Sequence, residues 1–146
     1  SELRVGNNVV RCERIEAEQQ RADGETLTVR TLSPITCYGQ VDRNGKPYTV
    51  YFSPYQRDFA VSAHNNLVRK FRALFPDRAV PEGTVRIAPL GRARERVAIF
   101  SPESSFPIKG WSGRFRLEGP QELLQIALDC GLGAKNSAGW GCVTRE

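Results

Sequence analysis

Hydrophobic positions along the chain change period several times, and the changes mark out elements. In residues 25–38, Leu27, Val29 and Thr31 alternate with Thr28 and Arg30, and Ile35 follows Ser33-Pro34, so a period of two predicts a half-buried strand. Asp42-Arg43-Asn44-Gly45 is a turn signal, because asparagine and glycine tolerate the positive φ of a tight hairpin, and Tyr48, Val50 and Phe52 alternate after it as a returning strand. The period then lengthens. Ser53-Pro54-Tyr55-Gln56 places serine at an N-cap, proline at the first helical position and glutamine where it completes a capping box. Phe59, Ala63, Leu67, Phe71, Leu74 and Phe75 recur at helical spacing until Pro76, predicting an amphipathic helix with Arg69 and Arg72 on its outer face.

Two extended segments follow, residues 85–100 and 106–117, the first interrupted at Pro89-Leu90-Gly91 and joined to the second through residues 101–105. Phe106 and Ile108 point one way, and Trp111, Gly113, Phe115 and Leu117 keep that phase only through a bulge at Gly110, leaving Ser112, Arg114 and Arg116 on the opposite face. Pro120 opens a shorter helix through Leu123, Leu124, Ala127 and Leu128, and Gly131 supplies a left-handed cap after Cys130. A short strand over residues 140–145 closes the pattern. Strand, helix, strand, strand, helix, strand predicts an α+β chain with the ferredoxin-like (RRM-like) βαββαβ fold, an antiparallel four-stranded sheet and both helices on one face. Residues 5–20, with only Val9-Val10 and Ile15 among charges, read as a strand or linker tail.

The length of 146 residues suits one compact core. No apolar run approaches the roughly 18 residues that a membrane span needs, and residues 1–10 lack the basic stretch and apolar core of a secretory signal, so the chain reads as cytoplasmic. Cys12, Cys37, Cys130 and Cys142 form no Cys-x-x-Cys pair and there is one histidine, which argues against a metal site. The cysteines read as buried thiols acting as small hydrophobes, with a Cys130–Cys142 bridge as the minority alternative. The formal net charge is +5, and residues 86–116 carry all of it: Arg86, Arg92, Arg94, Arg96, Lys109, Arg114 and Arg116 stand against Glu95 and Glu103. Arginine's planar fork suits phosphate oxygens, although on charge alone a solvated strand face fits equally well.

The most specific motif spans residues 131–141, where Gly131 and Gly133 on one side and Gly139 and Gly141 on the other bracket Lys135, Asn136 and Ser137. Glycine permits close backbone approach and positive φ, so such a loop can turn N–H groups toward an anion while Lys135 adds charge. It leaves a helix C-terminus and enters a strand, so no helix dipole assists it. Ala138 and Trp140 break the P-loop spacing, and Asn136 breaks the dinucleotide fingerprint.

This loop resembles the C-terminal signature of the RAMP superfamily of CRISPR-associated RNA-processing proteins. More particularly, Leu32-Ser33-Pro34-Ile35, Ser53-Pro54 ahead of a helix containing Asn66-Leu67-Val68-Arg69-Lys70, and Gly110-Trp111-Ser112-Gly113-Arg114-Phe115 before Gly119-Pro120 are similar to the endoribonuclease that cuts the CRISPR repeat. The similarity runs over residues 27–143, with Trp140 where phenylalanine is commoner. It implies two ferredoxin-like folds in tandem, recognition of repeat RNA, and cleavage without metal or other cofactor. It also implies that residues 27–146 are the C-terminal RAMP domain, and that residues 1–26 are the last strand and linker of an N-terminal domain holding the catalytic acid and base. A strand cut off from its sheet seeks another edge, which makes a second copy of the chain a candidate partner beside the RNA and other CRISPR effector subunits.

Metal-free RNA cleavage needs a base, an acid and a cation at the phosphorane. His64 is the only histidine; beside the apolar stripe of its helix it reads as a boundary residue first and a catalytic candidate second. The candidates for RNA contact are Arg86, Arg92, Arg94, Arg96 and Lys109 on the arginine-rich segments, and Gly131, Gly133, Lys135, Asn136, Ser137, Gly139 and Gly141 in the loop. Two other readings stand beside the endoribonuclease: a non-catalytic RNA-binding RAMP subunit, and a generic module stacking bases on Tyr48, Tyr51, Trp111 or Phe115.

Overall fold

A computed structural model describes residues 20–99 and 107–146 in full, and the backbone of residues 2–5 and 8–11. In chain order the elements are β1 (Glu2–Val5), β2 (Asn8–Arg11), β3 (Thr26–Thr31), β4 (Tyr38–Arg43), β5 (Lys46–Tyr51), α1 (Arg57–Leu74), β6 (Arg86–Ala98), β7 (Ile108–Glu118), α2 (Gln121–Cys130), a 3₁₀ turn (Asn136–Ala138) and β8 (Val143–Arg145). The main sheet runs β6-β7-β3-β8, antiparallel throughout. α1 crosses from β3 to β6 and leaves the place between them for β7, while α2 carries the chain from β7 to β8. This is the predicted ferredoxin-like arrangement, with β4 and β5 added as a separate two-stranded hairpin between β3 and α1.

Alternation places Leu27, Val29, Phe115, Leu117 and Ile87 on the face that meets the helices. α1 answers with Phe59, Ala63, Leu67 and Phe71, and α2 with Leu123, Leu124, Ile126 and Ala127. The Phe59 and Phe115 rings stack at 6.3 Å, joining α1 to the middle of the sheet. Each fully buried Leu or Phe contributes about 1.5–3 kcal/mol, so this single layer supplies the main driving force for folding. No helix among the described residues is long and apolar enough to cross a membrane.

Several boundaries differ from the sequence reading, each for a local reason. The strand expected over residues 25–38 stops at Thr31: Leu32 and Ser33 donate their N–H groups to the Cys142 carbonyl, Pro34 has none to give, and Ile35 then pairs with Trp111. The bulge expected at Gly110 lies instead in β6. Leu90 opposes Arg114 and Arg94 opposes Ser112, so Gly91, Arg92 and Ala93 face Gly113 alone, with Gly91 at φ 73°. β7 is therefore unbroken, and Ile108 shares a face with Gly110 and Ser112 rather than with Trp111; Phe106 lies outside the described residues. Gln56 does reach back to the Ser53 N–H at 2.7 Å, but the turn it closes precedes α1, which begins at Arg57. Leu74 and Phe75 are exposed, because the last turn of α1 runs past the core. Gly131 ends α2 at φ 91° and ψ 172°, a positive-φ stop other than the left-handed cap.

The N-terminal segment, read as a strand or linker tail, contains two strands that pair with each other; residues 12–19 lie outside the described residues. The linker expected to extend through residue 26 is anchored from Gln20 onward. Gln20 donates to Thr144 Oγ1, Ala22 is buried, and its N–H donates to Gln125 Oε1 on α2.

Candidate nucleic-acid interface

Four of the sequence motifs meet at one end of the main sheet. Ile35 bridges to Trp111 and Thr36 to Ala134, so the chain after Pro34 runs between β7 and the glycine loop. Gly141 donates to the Pro34 carbonyl at 2.7 Å, Cys142 to Ser33 Oγ at 2.9 Å, and the buried Thr36 hydroxyl to the Lys109 carbonyl at 2.7 Å. Tyr55, from the turn ahead of α1, meets Trp111 edge to face and accepts the Ala93 N–H at 2.9 Å, which ties the β6 bulge into the same corner.

The glycines of the loop are dictated by this crowding. A Cβ at Gly133 would lie 2.4 Å from the Thr36 carbonyl oxygen, and one at Gly141 would lie 1.9 Å from that of Leu132; both residues have positive φ. The N–H groups of Gly131, Leu132, Ala134, Ala138, Gly139, Trp140 and Gly141 all donate to carbonyls of the chain. Asn136 turns inward as well, its Nδ2 donating to the carbonyls of Leu132 and Trp140 at 3.0 and 2.9 Å. Gly131, Gly133 and Gly141 are buried, while Ser137 and Gly139 are exposed and Lys135 is half-buried. The loop thus braces itself at both ends, while the N–H groups of Gly133, Lys135, Asn136 and Ser137 have no acceptor among the described residues, so its tip offers the side chains of Lys135 and Ser137 together with backbone donors.

Lys70 was not singled out in the sequence, yet it clamps this loop. Its Nζ donates to the carbonyls of Gly131 and Gly133 at 2.9 and 3.1 Å, fastening α1 to the segment that leaves α2. Burial pushes its ammonium down to about 8, with the neighbouring Cys130 and Cys37 thiols working in the opposite direction. The signal was present: Lys70 follows Leu67 by three residues and precedes Phe71, so it falls inside the apolar stripe of α1.

The basic residues divide between the two faces of the sheet. Register places Arg94 opposite Ser112, Arg96 opposite Gly110 and Arg86 opposite Glu118, so these arginines share the face of Arg114, Arg116 and Arg30, away from the helices. All six are exposed. Arg114 forks onto Glu146 at 2.6–2.8 Å and Arg116 pairs with Glu118 at 3.0 Å, but Arg86, Arg94 and Arg96 have no carboxylate partner among the described residues. The Arg114 pair holds the Glu146 carboxyl below its usual range. Arg92 sits in the bulge. Arg86 and Arg96 are separated by nearly the whole of β6, about 30 Å, so the set forms a stripe rather than one pocket. Arg96 lies opposite Gly110, against which Trp140 of the loop packs. Lys109 lies on the other face of β7, in a cleft beside β5.

Residues 16–145 match the model of the family described as CRISPR associated protein Cas6, C-terminal. The chain belongs to that family. It is 31% identical over 131 residues to the CRISPR-associated endoribonuclease Cas6 of Pyrococcus furiosus, an alignment covering 88% of this chain and 45% of that protein. The solved Cas6-related protein of Pyrococcus furiosus superposes with a TM-score of 0.84 at 21% identity, over 99% of this chain and 58% of that one. A RAMP protein described as binding different RNA substrates gives 0.79 at 19% identity, with the same coverage. At these identities the superpositions show a shared fold. The chain spans about half the length of the relatives it matches.

In this Cas6 C-terminal domain the lone histidine is already occupied. His64 Nδ1 accepts the N–H of the buried Val85 at 3.1 Å, which places its proton on Nε2 and gives the ring a role in holding the start of β6. Of the cysteines, Cys37 is buried and burial pushes its thiol up to about 12, as expected of an inert packing residue. Cys130 is half-buried and Cys142 exposed, so the buried-thiol reading does not extend to them; both are free thiols.

Proposed function

We propose that this Cas6 C-terminal domain binds CRISPR repeat RNA on behalf of an endoribonuclease that cleaves the repeat without metal, the catalytic acid and base lying outside residues 1–146. On this reading residues 1–26 include the connection to a preceding ferredoxin-like domain, and the rest forms the RAMP domain. The observation that carries the proposal is the stripe of exposed arginines on the helix-free face, three of them without an acidic partner among the described residues. Unpaired guanidinium groups at strand spacing are suited to phosphate oxygens, and each neutralised phosphate releases counterions. The chain's own contribution is positioning: the arginines hold the backbone of the RNA, Lys135 adds a cation at the loop, and His64 supports the fold.

The test is equilibrium binding of repeat RNA by the chain across a salt series. Replacing Arg92, Arg94 and Arg96 with alanine is expected to weaken binding and to flatten the log–log salt slope by about 0.7–0.9 per lost contact, with little change in sequence preference. Unchanged affinity and slope, with circular dichroism showing an intact fold, would sink the assignment of this face. The chain alone is expected to leave the RNA uncut in the absence of metal; efficient cleavage abolished by His64→Ala overturns the division of labour.

A further inference from the structure

The β4–β5 hairpin has no place in the six-element fold, and its aromatic residues are absent from the hydrophobic core. Residues 40–48 are exposed throughout, Tyr48 to 47%. At the base of the hairpin Tyr38 and Tyr51 oppose each other across the ladder, with ring centroids 5.7 Å apart and planes tilted by 57°. Tyr51 lines a cleft of about 540 Å³ with Gln40, Pro47, Thr49, Pro107 and Lys109, a volume in the range of small-ligand sites. On the other side, Tyr38 borders a groove against α1 whose polar lining includes Asn65, Asn66, Arg69 and one acidic residue, Asp58. Lys135 of the glycine loop reaches over the Tyr38 ring, its Nζ 5.2 Å from the centroid.

A cross-strand tyrosine pair alone could simply stabilise a hairpin. The surroundings argue for more. The two rings lie between a cleft and a groove, and cations stand at three points around them: Lys109 in the cleft, Arg69 in the groove, and Lys135 over Tyr38. Flat aromatic rings beside cations on long side chains match unpaired nucleotides, whose bases stack while their phosphates meet the charge. We propose that the β4–β5 hairpin is a stacking arm for single-stranded RNA, with Tyr38 and Tyr51 receiving bases and Lys109 and Lys135 the adjoining phosphates. This deepens the RNA-binding reading above and rests on it. It places unpaired nucleotides on the side of the domain that carries the hairpin, and the arginine stripe on the helix-free face.

The experiment compares a labelled oligouridine of about eight nucleotides with an abasic ribose-phosphate oligomer of the same length, binding each to the full chain by fluorescence anisotropy. Stacking tolerates any base, so the unaltered chain is expected to bind oligouridine more tightly than the abasic oligomer. Tyr38→Leu with Tyr51→Leu is expected to weaken oligouridine binding roughly 5- to 150-fold for each base that loses its ring, to leave the salt slope unchanged and to leave abasic binding unchanged. The double phenylalanine variant keeps the rings and is expected to bind as the unaltered chain does. The proposal is overturned by equal affinity for the two oligomers, by no loss in the leucine variant, or by an equal loss in the phenylalanine variant. Failure here with a normal response to the arginine substitutions leaves RNA binding standing and removes only the arm; loss of the arginine response as well removes both.

Discussion

Replacing Gly110 with alanine adds one methyl group at the point where β7 makes room for the Trp140 indole. The new Cβ would lie 2.6 Å from Cζ3 and 2.9 Å from Cε3 of that ring, and 3.0 Å from Pro34 Cβ. Carbon atoms settle at about 3.5–4.0 Å, so the ring must retreat by about 1 Å. The backbone at Gly110 lies outside the positive-φ set, which leaves packing as the source of the cost. Retreat is resisted because Pro34 is tied to Gly141 through its carbonyl and Gly141 is the neighbour of Trp140. Overpacking of this kind costs about 1–3 kcal/mol, or about 2–12 °C in Tm for a chain of this size. Trp140→Phe removes the ring atoms that the methyl would meet, and alone it costs about 1–2 kcal/mol for the space left behind. The double variant fills part of that space, so it should be no less stable than Trp140→Phe, with a favourable coupling of about 1–2 kcal/mol. Urea unfolding of the four proteins in the cycle measures this directly. Costs that add to within about 0.5 kcal/mol would show that the methyl and the indole do not meet, and would refute the packing derived for this corner.

Lys70 titrates at about 8 in the folded chain against an ordinary 10.5, so between those values the unfolded chain holds the proton more tightly and stability rises with pH. Urea unfolding at about pH 7.5 and about pH 9 should show that rise, and Lys70→Met should abolish it; a rise that survives the substitution contradicts the assignment, and above about pH 9 the Cys37 thiol, raised to about 12, works in the opposite direction. His64→Phe leaves the Val85 N–H without its acceptor and should cost about 1–3 kcal/mol, whereas His64→Asn, whose side-chain oxygen can reach the same N–H, should recover much of it in the same assay. Gly133→Val drives a side chain into the Thr36 carbonyl at positive φ and should cost about 3 kcal/mol or more by thermal denaturation, while Lys135→Ala should leave Tm within about 1 °C and lower RNA affinity.

Elements held by local periodicity were legible. The α1 stripe at Phe59, Ala63, Leu67 and Phe71, the Asn44-Gly45 turn and the stop at Gly131 each rest on residues close in sequence, and the order of elements was enough to predict the sheet. What was not legible depends on partners far along the chain. Nothing between residues 25 and 38 shows that Leu32 and Ser33 will donate to Cys142, and nothing in β7 shows that the extra residues sit in β6 opposite Gly113. Lys70 could have been flagged as a charge inside an apolar stripe, but its purpose needed the loop beside it.

The glycine loop shows most sharply how a signature can be recognised before its cause is known. A run of glycines around a lysine fits anion binding through the backbone and crowded packing equally well, since both require close approach and positive φ. Geometry separates the two by asking where the N–H groups go. Here those of Gly131, Gly139 and Gly141 end on carbonyls of the chain, those of Gly133, Lys135, Asn136 and Ser137 have no acceptor among the described residues, Lys70 supplies a cation to the carbonyls of Gly131 and Gly133, and Asn136 satisfies two more. The carbonyl demand is met by protein side chains, so Gly133 and Gly141 are needed to let three segments converge, and contact with RNA falls to residues 135–137 at the tip, through their side chains and their N–H groups. That predicts an asymmetry within one motif: substitutions at Gly133 or Gly141 act through stability, substitutions at Lys135 or Ser137 act through affinity, and a variant that lost affinity at Gly141 with its stability intact would return the glycine backbone to the binding site.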